Sequence, residues 1–287
     1  MLSKLPPQFT KSIVRLVMVA VTASLATTAS ASAAPVARNP FANTQLSHYL
    51  HTRGNVTAAL YDPASGKTYL YRPGVREVTA SMVKIDILAD LLFEAQSDHR
   101  TLTPDEQYLA TTMIEDSDNA SAQRLWNDIG GFGTSSRVTG DGGYYPIQAF
   151  NRRIGFTQTV TSWGWGTMDT TPADFVKLLR AIWLPSRVLS PASQGYERTL
   201  MERVTPTQRF GVPNGVPANA TVGVKNGWYP EPFGWQVNSA GYVHLGAVTY
   251  LAVVMTANNP NENYGLDTVN TLGSLLWRFE SAQSSRA

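Results

Sequence analysis

The chain has 287 residues, 43% of them hydrophobic and 15% charged, with no cysteine and a formal net charge of +2. A chain so near neutrality, with no basic tract, excludes nucleic acid as a partner, and the absence of cysteine means that the fold rests on its core rather than on disulfides. The four histidines, His48, His51, His99 and His244, show no ligand spacing, so neither a metal nor a cofactor is expected.

Lys4, Lys11 and Arg15 precede or enter an apolar run at 16–21, which gives way to small residues ending Ala31-Ser32-Ala33. This is the pattern of a secretory signal peptide over 1–33, too short and too interrupted by Thr and Ser to span a membrane. Its removal leaves 20 Lys+Arg against 21 Asp+Glu. With no cysteine to accept a lipid, the mature chain, residues 34–287, is expected to be a free, secreted, monomeric domain, long enough to bury its own core.

A first helix is expected over 43–52, followed by a hairpin of strands 56–61 and 67–71 around the turn Asp62-Pro63-Ala64-Ser65-Gly66. The apolar period then changes. Segments 81–96, 104–115, 120–129, 146–154, 172–183 and 191–204 carry apolar residues at three- and four-residue steps, several opening at Pro or just after Ser or Thr. Strands return at 222–225, 235–242 and 250–256, and an amphipathic helix over 266–283 closes the chain. The class is therefore α+β, an antiparallel sheet built from both chain ends and flanked by helices, with an all-helical block over about 80–205 inserted between them. A functional site is expected where sheet and block meet. The glycine-rich run from Gly130 to Pro146 lacks the Walker spacing and reads as a surface loop.

Ser81 and Lys84 stand three residues apart at the start of the second helix, so they share a face. A serine hydroxyl needs a neighbour that takes its proton, and a lysine does this only where burial or nearby cations lower its pKa. The free N–H groups of a first helical turn also favour an oxyanion beside the serine. Two further runs follow in order. Ser117-Asp118-Asn119 lies between two helices, where its side chains can cap a helix or point into a cleft, with Asp118 in a structural role, and Lys225-Asn226-Gly227 ends a strand.

Ser-x-x-Lys, Ser-Asp-Asn and Lys-x-Gly in this order, at a helix start, an inter-helix loop and a strand end, resemble the class A β-lactamase and penicillin-binding-protein superfamily. The resemblance implies a β-lactamase/transpeptidase-like fold and an enzyme, a serine hydrolase working through an acyl-enzyme on Ser81. It gives Lys84 the role of base, Ser117 that of proton relay, and Asn119, Lys225, Asn226, Gly227 and Trp228 that of substrate-binding residues. It also implies an oxyanion hole of the Ser81 and Trp228 N–H groups, and a small acyl substrate: a β-lactam, an ester or a cell-wall peptide. Lys225 is expected to meet a substrate carboxylate and to lower the pKa of Lys84, Gly227 to let the substrate backbone approach, and Trp228 to line a pocket.

The sequence departs from the family pattern at several points. Asn226 stands where Thr or Ser usually completes the strand motif, Trp228 where a small residue is usual, and the gap from Lys84 to Ser117 is short. No glutamate occurs between Glu115 and Glu197, so the loop glutamate that activates deacylating water in class A enzymes has no counterpart. Trp163-Gly164-Trp165-Gly166 takes its region, and the nearby Asp169 is expected to tie the loop down rather than act as a base. Three readings follow: an acyl-serine hydrolase with slow β-lactam turnover, a genuine class A-type β-lactamase, and a non-catalytic binder of cell-wall peptide or acyl ligand.

Overall fold

The hairpin near the start of the domain is completed by a strand from the far end of the chain. In the computed structural model, which describes residues 39–130, 146–161 and 164–284, α1 (Thr44–Thr52) leads into β1 (Val56–Asp62), β2 (Lys67–Tyr71) and the two-residue β3 (Glu77–Val78). A 3₁₀ turn, Ala80–Val83, runs directly into α2 (Lys84–Ser97), followed by α3 (Pro104–Glu115), α4 (Asn119–Asp128) and α5 (Pro146–Ile154). The short β4 (Asp169–Thr170) precedes α6 (Pro172–Trp183) and α7 (Pro191–Glu202). Then come β5 (Thr221–Glu231), β6 (Gly234–Leu245), β7 (Val248–Asn259) and α8 (Glu262–Ser284). The expected signal peptide, most of the glycine-rich run and Trp163 lie outside the described residues.

Local chemistry explains the helix starts. Thr103, Thr171 and Ser190 each cap the helix that follows by accepting a backbone N–H, and each is succeeded by a proline whose fixed φ suits a first turn. Thr103 and Glu106 complete a reciprocal capping box. The sheet has the order β2-β1-β7-β6-β5, with every neighbouring pair antiparallel. Register Ala59↔Val253 joins the two ends of the chain, as the strand–helix–strand order of the sequence implies.

Alternation along each strand supplies two cores. Leu251, Val253 and Met255 face the helical block with Ala59, Val224 and Ala240. Tyr250, Ala252 and Val254 face α1 and α8 with Leu46, Leu60 and Leu272. Because both faces are covered, β6 and β7 extend beyond the segments that alternation marked out, each reaching 12 residues. The pair β3–β4, at two residues each, is too short to leave a periodic signal. It places β4 beside the segment that enters the Ser81 turn, with Val78 opposite Asp169 and the Thr79 N–H on Met168 O at 2.8 Å. In the five-stranded sheet, β5 is an edge strand among the described residues.

The helical block encloses carboxyl groups. Asp86, Asp90 and Glu197 are buried, and loss of water pushes Asp86 up to about 7 and the other two well above the carboxylate range. The only hydrogen bond to Asp86 among the described residues comes from Asn151 Nδ2, at 2.9 Å. Carboxyls whose pKa is raised by folding hold protons that the unfolded chain has released, so they lower stability as pH rises from about 4 towards 7. Buried lysines slope the opposite way, which makes a comparison of variants necessary. Asp86→Asn is expected to remove up to about 1.4 kcal/mol per pH unit of this loss, read as a Tm that rises relative to wild type as pH goes from 5 to 7. Parallel curves for the two proteins would contradict the assignment.

Candidate active site

Three segments converge between the helical block and β5. Ser81 lies in the 3₁₀ turn rather than in α2 itself, because Ala80 takes a left-handed φ of 47° that bends the chain just before it. Such a conformation costs a non-glycine residue on the order of 1 kcal/mol or more and persists only where surrounding contacts impose it. Asn238 of β6 is one such contact. Its Nδ2 donates to Val78 O at 2.7 Å and Thr79 O at 3.3 Å, while its Oδ1 accepts the Thr256 N–H. The turn is thereby clamped to the sheet.

Ser117 occupies the sharp bend between α3 and α4, also with a left-handed φ, of 58°. The bend is fixed from both sides. The Asp118 N–H donates to Thr112 O, and the Asp118 carboxylate caps α4 by accepting the Ser121 N–H at 2.7 Å, a bond that holds its pKa below the usual range. Asp118 therefore serves as the N-cap of α4, and Ser117 and Asn119 are left to face Lys84.

Lys84 Nζ donates to Ser117 O at 2.5 Å, Ser117 Oγ at 3.1 Å and Asn119 Oδ1 at 2.8 Å. Lys225 Nζ reaches the same Ser117 Oγ at 2.9 Å and its neighbour's Asn226 O at 3.2 Å. One hydroxyl therefore bridges two amines, and both lysines are wholly without exposed surface. Burial lowers Lys84 to about 7, against a smaller opposing pull from Asp118. Lys225 is pushed well below the usual lysine range, first by burial and then by the charge of Lys84. The sequence expectation that Lys225 depresses Lys84 is met by the reverse ordering, since burial is the main influence on Lys84. The half-buried Ser81 has no side-chain hydrogen bond among the described residues, and its backbone carbonyl accepts the Lys84 N–H.

Gly227 is required here, for a reason the sequence did not suggest. A Cβ on it would fall 2.7 Å from Ser81 N, 2.6 Å from Met82 N and 2.7 Å from Thr79 O. The space freed by its missing side chain is filled by the Ser81 turn itself, which packs on the face of β5 that also carries Lys225. Two other residues do not face the cleft. Strand alternation sends Asn226 and Trp228 to the side opposite Lys225. The Asn226 amide is buried and donates to Gln208 O and Phe210 O, and Trp228 packs edge-on against Phe210 at 5.4 Å between ring centroids. Of the Asn226 and Trp228 expectations, only one about the Trp228 backbone can concern the cleft.

Among the described residues, an aromatic ring that does reach the site is that of Trp165, whose centroid lies 4.8 Å from Lys84 Nζ. The sequence offered several tryptophans and no period to select among them. Asn238 was missed for a similar reason, as a lone polar residue within a strand. Asp169 is held by backbone pairing to Val160, and Glu231 and Arg76 are the charges that act on its carboxyl. Among the described residues no carboxylate lies within ion-pair distance of Lys84, and no cluster of potential ligands is arranged to hold a metal.

This architecture is shared with solved structures. A β-lactamase from Chitinophaga pinensis superposes with a TM-score of 0.69 at 18% identity, covering 82% of this chain and 97% of that one. The class A β-lactamase from Mycobacterium abscessus gives 0.65 at 19% identity, with coverages of 82% and 97%. A variant of the last common ancestor of Gram-negative bacteria class A β-lactamase gives 0.66 at 21%, with 82% and 96%. In sequence, the proposed lipoprotein LppW of Mycobacterium tuberculosis is 28% identical over 185 residues, 60% of this chain. The match spans 54% of LppW, about half the length of that relative. The model of the Beta-lactamase enzyme family matches residues 99–279. With well over half of its length matched and the fold shared throughout the sheet and helical block, the chain belongs to the β-lactamase enzyme family.

Proposed function

We propose that the protein is an exported acyl-serine hydrolase in which Ser81 is the nucleophile, and that β-lactams acylate it but are released slowly. The observation that carries this reading is the pair of buried amines on Ser117 Oγ beside the Ser81 turn. A lysine with a pKa near 7 is substantially neutral at neutral pH, so Lys84 can accept the Ser81 proton as Oγ attacks a carbonyl carbon. The oxyanion that forms is received by N–H groups of the Ser81 turn and of Trp228 on the adjoining β5 edge, which Gly227 brings together. The proton then passes from Lys84 through Ser117 Oγ to the departing nitrogen or oxygen as its bond to the carbonyl carbon breaks. Asn119 Oδ1 holds Lys84 in place and its amide NH₂ is available to the substrate.

Lys225 is read as an anion sensor. Alone, burial keeps it inclined to be neutral; a substrate carboxylate at the end of the cleft would favour its protonated form. This role suits β-lactams and cell-wall peptides, both of which bear such a group. A pure binder has little use for two desolvated lysines around one hydroxyl, which favours catalysis over the binding reading. Among the described residues no helix is long and apolar enough to cross a membrane. With residues 1–33 reading as a signal peptide and no cysteine present, we propose a secreted protein, in contrast to the lipid anchor implied by the name of LppW.

Four outcomes are expected. A serine-reactive probe or benzylpenicillin should add its mass to Ser81, and Ser81→Ala should stay unmodified; an adduct mapped to Ser117 would overturn the assignment. Lys84→Ala should slow acylation by a factor of about 10² to 10⁴. Lys225→Ala should slow it chiefly for carboxylate-bearing substrates, and equal losses with neutral esters would remove its anion-binding role. Finally, simple esters should turn over while the penicillin adduct persists, with deacylation slower than acylation by several powers of ten, each tenfold step being about 1.4 kcal/mol. Fast steady hydrolysis of nitrocefin would contradict this last expectation.

A further inference from the structure

Lys84 Nζ has three hydrogens to donate, and all three have acceptors, in Ser117 O, Ser117 Oγ and Asn119 Oδ1. The Trp165 ring, 4.8 Å away, covers a further side of the nitrogen. Trp165 is itself half-buried. One part of it packs on the helical-block core, and its turn, Trp165–Thr167, lies against the turn Ala80–Val83 that carries Ser81. The indole thus stands between solvent and a nitrogen that has no exposed surface at all. Nearby in the chain, Asp169 is held by backbone pairing to Val160, and its carboxyl is raised first by burial and then by the charge of Glu231, against Arg76.

Hydrolysis of an acyl ester needs more than a base. A water oxygen must reach the carbonyl carbon and give up a proton as it bonds, after which the bond from that carbon to Ser81 Oγ breaks and Oγ regains a proton. Lys84 is placed to serve Ser81, one helical turn before it, yet a water seeking the same amine meets the indole. We propose that Trp165 is a positioning residue that decides the fate of the acyl-enzyme: its ring closes Lys84 to water, so that Lys84 acts in acylation and is withheld from deacylation. The inference rests on the acyl-serine reading of Ser81. It assigns slow release to a group that is present, in addition to the absence of a loop carboxylate. The ring attracts the ammonium form of Lys84 by its π face and at the same time desolvates the amine, so the two effects of its removal on the Lys84 pKa oppose each other.

The test uses the full chain with benzylpenicillin as the probe, following adduct formation and decay separately by intact mass across pH 5–9. Trp165→Ala is expected to lose its adduct at least ten times faster than wild type, with the gain following deprotonation of a group near the pKa of Lys84, about 7. Trp165→Phe, which keeps a ring face, should retain the slow release. If the alanine variant does not fold, Trp165→Met decides the matter, since it refills the core side and removes the ring, and it too should release the adduct faster. An adduct that forms and decays at the wild-type rate in the folded ring-less variant, or a gain with no pH dependence, would overturn the role of Trp165. Failure of the wild-type protein to form any adduct on Ser81 would overturn the acyl-serine reading and this inference with it.

Discussion

The burial of two lysines around a single hydroxyl is the constraint on which the rest of the site depends. Removing an ammonium from water costs several kcal/mol, and a hydrogen bond to a charged group returns roughly 1.5–3 kcal/mol. Lys84, with three acceptors, comes close to offsetting that cost. Lys225 has two and shares one of them, Ser117 Oγ, with Lys84. With no carboxylate at ion-pair distance among the described residues, the pocket holds one positive charge far more readily than two. The result is an amine whose pKa falls to about 7, chiefly through burial and against a smaller opposing pull from Asp118.

The fold supplies that packing by bringing together residues far apart in the chain. Asn238 on β6 clamps the segment leading to Ser81, Asp118 caps α4 so that Ser117 is forced into its bend, and Gly227 lets β5 press against the Ser81 turn. Ala80 and Ser117 both adopt left-handed backbone, and both lie at the points where the chain turns a functional group into the cleft. Strain at these two positions fits a pocket whose geometry is imposed from outside it, although Arg72, His99 and Asn258 take the same conformation elsewhere in the chain.

Much of this was legible in the sequence, because the informative features are local. Proline after Ser or Thr marks helix starts at 103–104, 171–172 and 190–191, and the change from period two to period 3.6 and back locates the helical block within the sheet. The three short motifs located Ser81, Lys84, Ser117, Asn119 and Lys225. What escaped was set by tertiary geometry. Asn226 and Trp228 follow Lys225 in sequence, but the face on which each lies depends on which side of β5 meets the helical block. Trp165 is one of seven tryptophans, singled out only by the position of its loop over α2. The reason for Gly227, likewise, exists only once β5 meets the Ser81 turn.

The claim at the centre of this account is that desolvation makes Lys84 a base near neutral pH and depresses Lys225 still further. The most direct measurement is an NMR titration of the lysine side chains of the unliganded protein, with Lys84→Arg and Lys225→Arg used to assign the two signals. The account expects Lys84 to titrate near 7 and Lys225 well below the ordinary lysine range. Titration of both groups near 10, with the other lysines, would contradict it.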